Sequence, residues 1–179
     1  RKAYHVLSCL ENVGGELNAY TTKEETCIHA SFLKEHYNKA IELIADIAFN
    51  SVYPANEVDK EKEVIIDEIN SYRDNPAEEI YDEFENNLYK GHEMGRNILG
   101  TTDLVNGYTR NDLLNFIKNN YSTDKMVVAT IGDIPFAKFR NKIAAHFSDY
   151  QRIDTVSRRN KFEGAPNFTK IEERNNHLS

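Results

Sequence analysis

Two hydrophobic periods alternate along the chain. Residues 2–12 set Val6, Leu7 and Leu10 at helical spacing, and Gly14-Gly15 stops the pattern. "ELNAYTTKEETCIHASFL" then switches to a period of two on both sides of a polar centre. It predicts strands over 16–22 and 25–33, joined by a tight turn around Lys23-Glu24. Ala40, Ile41, Leu43, Ile44, Ile47 and Ala48 form the wide stripe of a buried amphipathic helix over 36–50. Pro54 introduces the next helix, with Asn56 as its expected N-cap and Asp59 three residues on, running to about Arg73. Asn75, Pro76 and Glu78 read as the cap, first residue and capping-box partner of a further helix. Residues 91–107 carry four glycines and read as a long connection with one short helical turn. Thr109 caps a helix to about Asn120, and Pro135 opens a last one to about Phe147. Between them "DKMVVATIGD" is the clearest strand, a β-branched run ended by Gly132-Asp133. From Asp149 onward the pattern fades, and 151–179 reads as a linker. The class is α+β, with few strands for so many helices, so further strands of the sheet are expected outside these residues.

The helix over "EKEVIIDEI" raises a question of its own. Glu61 and Glu68 lie two turns apart, within ~20° of each other on the wheel. Val64, Ile65, Ile69 and Tyr72 form the apolar arc, and both carboxylates fall inside it. Glu63 and Asp67 point the opposite way, where acids belong. A carboxylate facing a core must be paired, protonated or metal-bound, because an isolated buried charge costs several kcal/mol. A misjudged helical register, or an ion pair to a distant residue such as Arg96, are the structural alternatives.

Composition narrows the field. The 179 residues are 40% hydrophobic and 28% charged, as in an ordinary globular domain. No apolar run reaches 18 residues, so no spanning helix is expected and a membrane is not an expected partner. Residues 57–93 hold 13 acids against four bases, more negative charge than the whole chain's net −7. Nucleic acid is therefore an unexpected partner, since phosphate contacts need a basic surface. Solvated helix faces account for most such acidic stretches; a preference for basic peptides is the sharper reading. Cys9 and Cys27 lack metal-site spacing and are expected to be free thiols. No two of the six histidines stand at i, i+3 or i, i+4, so no helical face offers a His pair to one metal. Serine-hydrolase, Walker and dinucleotide motifs are absent.

Four spaced blocks carry a resemblance: "LENVGGELNAYTTKEETCIHASF", "AIELIADIAFNSVYPANEVDKEKEVIIDEI", "GRNILGT" and "DLLNFIKNNYSTDKMVVATIGD". In that order they resemble the insulinase/pitrilysin family of inverted-zincin metallopeptidases, its processing-peptidase β-like and bacterial members in particular. The resemblance covers about residues 2–150. It implies a two-layer sandwich of mostly antiparallel sheet covered by helices, and a zinc ion held by an H-x-x-E-H helix and one downstream glutamate. Glu68 matches that glutamate. Glu61 matches a second family acid one heptad earlier, which supports the metal from behind its ligands. Asn18, Ala19 and Tyr20 match an edge strand that pairs with the backbone of a peptide substrate; the plain alternative is an ordinary hairpin strand.

H-x-x-E-H itself does not occur in the 179 residues. The expectation is a half-domain over 1–150 that begins just after the catalytic helix, with 151–179 leading to a second, homologous half-domain or subunit. The intact protein is then a zinc endopeptidase of extended peptides, and this piece alone would neither hold zinc nor cleave. Self-association through exposed apolar surface is a further expectation. Two other classes stay open: a catalytically silent paralogue acting as a partner or scaffold subunit, and a module that binds peptides by its edge strand without any metal.

Overall fold

A computed structural model of the chain describes residues 3–150 and 160–164. Helix α1 (Ala3–Glu11) leads into strands β1 (Glu16–Thr21) and β2 (Thr26–Ser31), and then α2 (Tyr37–Asn50) follows. After these come α3 (Ala55–Arg73), α4 (Pro76–Leu88), α5 (Thr102–Gly107), α6 (Arg110–Asn120) and α7 (Phe136–Phe147). The architecture is α+β, as expected: among the described residues, seven α-helices and a two-stranded antiparallel sheet.

The predicted hairpin forms with Leu17 opposite Ala30 and Tyr20 opposite Cys27. Period-two alternation decides which side is covered. Leu17 and Ala30 turn inward, and α1 and α2 lie across that side. Leu10, Ala40 and Leu43 are wholly buried at the centre, with Val6, Cys9, Phe32 and Ile47 packed around them. Gly15 lets α1 turn straight into β1: a Cβ there would stand 2.9 Å from the Ser31 carbonyl oxygen. Helix α7 rests on α2 through Phe49, whose ring meets Phe147 edge-on at 5.6 Å and stacks on Tyr150 at 3.8 Å. Helix α3 packs against α4 and α5.

Two expectations are corrected. Helix α3 starts at Ala55 with Pro54 as N-cap, not at Asn56. The Pro54 carbonyl accepts from the N–H groups of Glu57 and Val58, and the Asn56 amide instead reaches the Glu57 carboxylate at 2.7 Å. The "KMVVATI" run is no strand: after a 3₁₀ turn over Thr123–Lys125 the chain continues without a ladder partner among the described residues. Val127 and Ile131 are almost fully exposed. A strand is made by its neighbours, and β-branched residues only fit a pleated surface that something else supplies. The expected linker over 151–179 lies mostly outside the described residues.

The caps at Asn75 and Thr109 follow the sequence, but the capping box expected of Glu78 does not form. Asn75 accepts from the Ala77 N–H at 3.3 Å, with Pro76 at the first helical position. Thr109 and Asp112 form a full capping box. Hydrogen bonds from the Thr109 hydroxyl at 2.6 Å and N–H at 2.8 Å hold the Asp112 carboxyl below its ordinary range.

Two predictions follow from local geometry. A Cβ on Gly95 would meet the Tyr89 carbonyl oxygen at 2.7 Å, whereas one on Gly107 meets nothing within 4 Å. Gly95→Ala should cost about 1–3 kcal/mol in urea unfolding, and Gly107→Ala should stay within about 0.5 kcal/mol of the parent. Because its pKa is depressed on folding, Asp112 stabilises the chain above the unfolded carboxyl pKa and loses that contribution as pH falls through the folded value. Thr109→Val should therefore lower the Tm near neutrality, with the difference narrowing below about pH 4. A difference that stays constant through the acid range would show that the carboxylate plays no part.

Candidate active site cavity

A cavity of about 1530 Å³ opens between the hairpin, α2 and α3. Ile47 of α2, Thr21 at the end of β1, and Glu61, Ile65, Glu68 and Tyr72 of α3 all line it. Glu61 and Glu68 thus share one wall, as the wheel predicts. They do not sit in a core. Both are exposed, and the buried side of α3 lies about a quarter turn away, where Ile69 is 5% exposed beside half-buried Ile66 and Lys62. The apolar residues of α3 extend around too much of its circumference to show which part meets α5. Among the described residues neither carboxylate has an ion-pair or hydrogen-bond partner, so both are available to a ligand. Arg96, a distant partner considered above, is itself exposed and pairs with neither.

The hairpin reaches the cavity at Thr21 alone among its strand residues. The Thr22 N–H donates to the Glu25 carbonyl at 2.8 Å, which sets the phase of the ladder. In an antiparallel pair the bonded positions alternate, so the backbone groups of Asn18 and Tyr20 point at β2. Those of Leu17, Ala19 and Thr21 point outward, toward the open edge. The Asn18 Oδ1 accepts from the Ala19 N–H at 2.8 Å, occupying a donor that β2 does not use. Tyr20 stands on the outer, exposed side. A hydrogen bond with Cys27 opposite holds its phenol above the ordinary range, and the Cys27 and Glu25 charges add to this. Cys9 and Cys27 are both free thiols, half-buried and not buried.

Three cationic side chains tie the walls together, and none was marked by a motif. Arg110 donates from Nε to the Tyr53 carbonyl at 2.8 Å and from Nη2 to the Val52 carbonyl at 2.9 Å. It thereby fixes the α2–α3 connection, where Tyr53 adopts φ 44°, a left-handed conformation that a bulky residue takes up only under constraint. Tyr121 lies near this corner; burial pushes its phenol up, and Tyr53 adds to the effect. Lys62 donates to the Asn106 carbonyl at 3.2 Å, joining α3 to α5. Lys23, in the hairpin turn, reaches Glu85 and the Met94 carbonyl. Among the described residues no three His, Cys, Asp or Glu side chains are arranged to hold a metal ion, and no helix is long and apolar enough to cross a membrane.

Residues 1–102 match the insulinase (peptidase family M16) family, and residues 107–178 match the M16 inactive domain. The chain belongs to the insulinase peptidase family. Among its relatives is an uncharacterised zinc protease of Bacillus subtilis, 32% identical over 84% of this chain and 37% of the relative. The β subunit of the Neurospora crassa mitochondrial-processing peptidase is 33% identical over 83% of this chain and 31% of its own length. This insulinase-family chain therefore spans about a third of the length of such relatives. A Helicobacter pylori protease structure superposes with a TM-score of 0.77 over 88% of this chain and 38% of that one, at 21% identity. A Pseudomonas fluorescens M16 inactive domain gives 0.75 at 16% identity, over 89% of this chain and 40% of its own. At such identities the superpositions establish the fold alone.

Proposed function

We propose that this chain is part of a zinc metalloendopeptidase acting on extended peptides, and contributes one metal ligand and the substrate-pairing strand. The observation that carries the reading is the shared cavity: the free edge of β1 reaches it at Thr21, and unpaired Glu61 and Glu68 face it from α3. Glu68 is the ligand by its match to the family pattern. An accessible carboxylate without a competing cation suits a divalent metal. The remaining ligands and the general base belong to an H-x-x-E-H helix elsewhere in the polypeptide. Glu61, one heptad earlier on the same wall, orients the ligand set from behind. Zinc, when bound, polarises the scissile carbonyl and lowers the pKa of its water. A peptide lies along β1, accepting from Ala19 once the Asn18 side chain moves aside. Tyr20 and Asn18 border it with their side chains. Residues 1–150 form most of one half-domain, and 151–179 leads to a second homologous half or subunit.

The match of residues 107–178 to the M16 inactive domain is compatible with this reading and with a second. In the second the protein is a silent partner subunit, possessing the fold and the cavity without the chemistry. Self-association of the chain belongs to either reading. Zinc dependence of peptide cleavage by the full-length protein separates the two.

In that protein Glu68→Gln should abolish stoichiometric zinc by elemental analysis, because a neutral amide is a poor ligand. Glu61→Gln should reduce zinc affinity or activity by about 10- to 100-fold, as changes behind the ligands do. The reverse ranking would place the ligand one heptad earlier. The ladder phase selects a separate test for the strand. Ala19→Pro removes a donor at the open edge and leaves the β1–β2 bonds intact. Peptide cleavage should fall sharply while zinc stays bound; unchanged cleavage would remove the strand from the mechanism.

A further inference from the structure

We propose that Lys23 is a positioning residue that holds the substrate-pairing strand at a set distance from the α3 carboxylates. This rests on the peptidase reading above. A lysine in a hairpin turn ordinarily extends into water. The Lys23 side chain is instead 17% exposed. Its Nζ donates to the Glu85 carboxylate on α4 and, at 2.9 Å, to the Met94 carbonyl. These partners lie 62 and 71 residues along the chain, on two different segments, so the ammonium group is held from two directions. The turn does not need them for its own closure: the Thr22 hydroxyl accepts from the N–H groups of Glu24 and Glu25, at 3.3 and 3.1 Å.

The placement of this tie gives it a consequence for the cavity. Thr21, two residues before Lys23, lines the cavity. Asp82 lines it too, and at i, i+3 it shares a face of α4 with Glu85. Lys23 therefore ties the hairpin turn beside one lining residue to the helix that carries another. Helix α4 packs on α3, so the hairpin tip is braced, through α4, against the helix that carries Glu61 and Glu68. Charge-assisted bonds to a half-desolvated ammonium outweigh those of an exposed pair. Lys34–Asp133 also joins distant segments, yet its two side chains are 64% and 86% exposed. A strand held in place before substrate arrives avoids the ordering cost on binding, which appears in KM and not in kcat.

The experiment compares the full-length protein with its Lys23→Ala and Lys23→Arg variants, using an extended peptide substrate. Lys23→Ala should raise KM about tenfold, the equivalent of one charge-assisted bond, with kcat and bound zinc unchanged. Lys23→Arg should restore most of the loss, because a guanidinium can donate to both acceptors. Hydrogen–deuterium exchange without substrate should show faster exchange at residues 17–21 in Lys23→Ala alone. An unchanged KM, unchanged exchange, or loss of zinc together with kcat would each overturn the inference. A parent protein that cleaves no peptide would remove the peptidase reading instead. The exchange comparison would then decide the tie by itself: faster exchange supports it and unchanged exchange ends it.

Discussion

Helices α1 and α2 meet through Leu10, Ala40 and Leu43, three side chains with no solvent exposure, and the placement of the hairpin depends on that contact. Ala40 is small enough to let the helices approach, while each buried leucine contributes about 1.5–3 kcal/mol from its removal from water. The helix pair then presents a continuous apolar surface to Leu17, Ala30 and Phe32. Once Leu17 is inward, alternation along β1 leaves no freedom. A slip of one residue would turn Asn18 and Tyr20 into the core and put the backbone of Ala19 against β2. The chemistry of the open edge is thus decided on the opposite side of the sheet.

The parts legible in the sequence are those governed by local rules. The hairpin shows its alternation and its polar turn; α2 shows a stripe wide enough to be buried; Thr109 shows its cap. The parts that were not legible depend on neighbours. In α3 the apolar residues Val58, Ile65, Ile66 and Ile69 cover a broad sector, and only the docking of α4 and α5 decides which portion is interior. Glu61 and Glu68, expected on the buried side of α3, therefore line a cavity about a quarter turn away from it and not a core. Arg110 and Lys23 looked like surface cations, because nothing local announces a carbonyl group far along the chain as a partner. The left-handed Tyr53 was equally silent, since a bulky side chain argues against that conformation until a clamp overrides it.

An acidic chain might be expected to direct its cations at its carboxylates. Arg110 instead bonds backbone carbonyls at a segment junction, and Lys62 and Lys23 do so as well as pairing with Asp59 and Glu85. Carbonyl groups at such junctions lack ladder partners and need donors. A long, charged side chain can deliver one from another element. Among the described residues, Glu61 and Glu68 on the cavity wall have no ion-pair partner. A carboxylate without a cation of its own is what a metal-ligand role requires.

The exposed run from Met126 to Ile131 bears on how the chain behaves in a concentrated solution. Its β-branched residues, low charge and lack of proline are the composition of segments that stack into cross-β assemblies. Lys125 stands at one end of the run, and Gly132 and Asp133 at the other. These are gatekeepers, since a charge or a strand-breaking residue at the boundary limits how far an added strand can extend. Handling of the isolated 179-residue chain is therefore governed less by its folded core than by these few boundary residues.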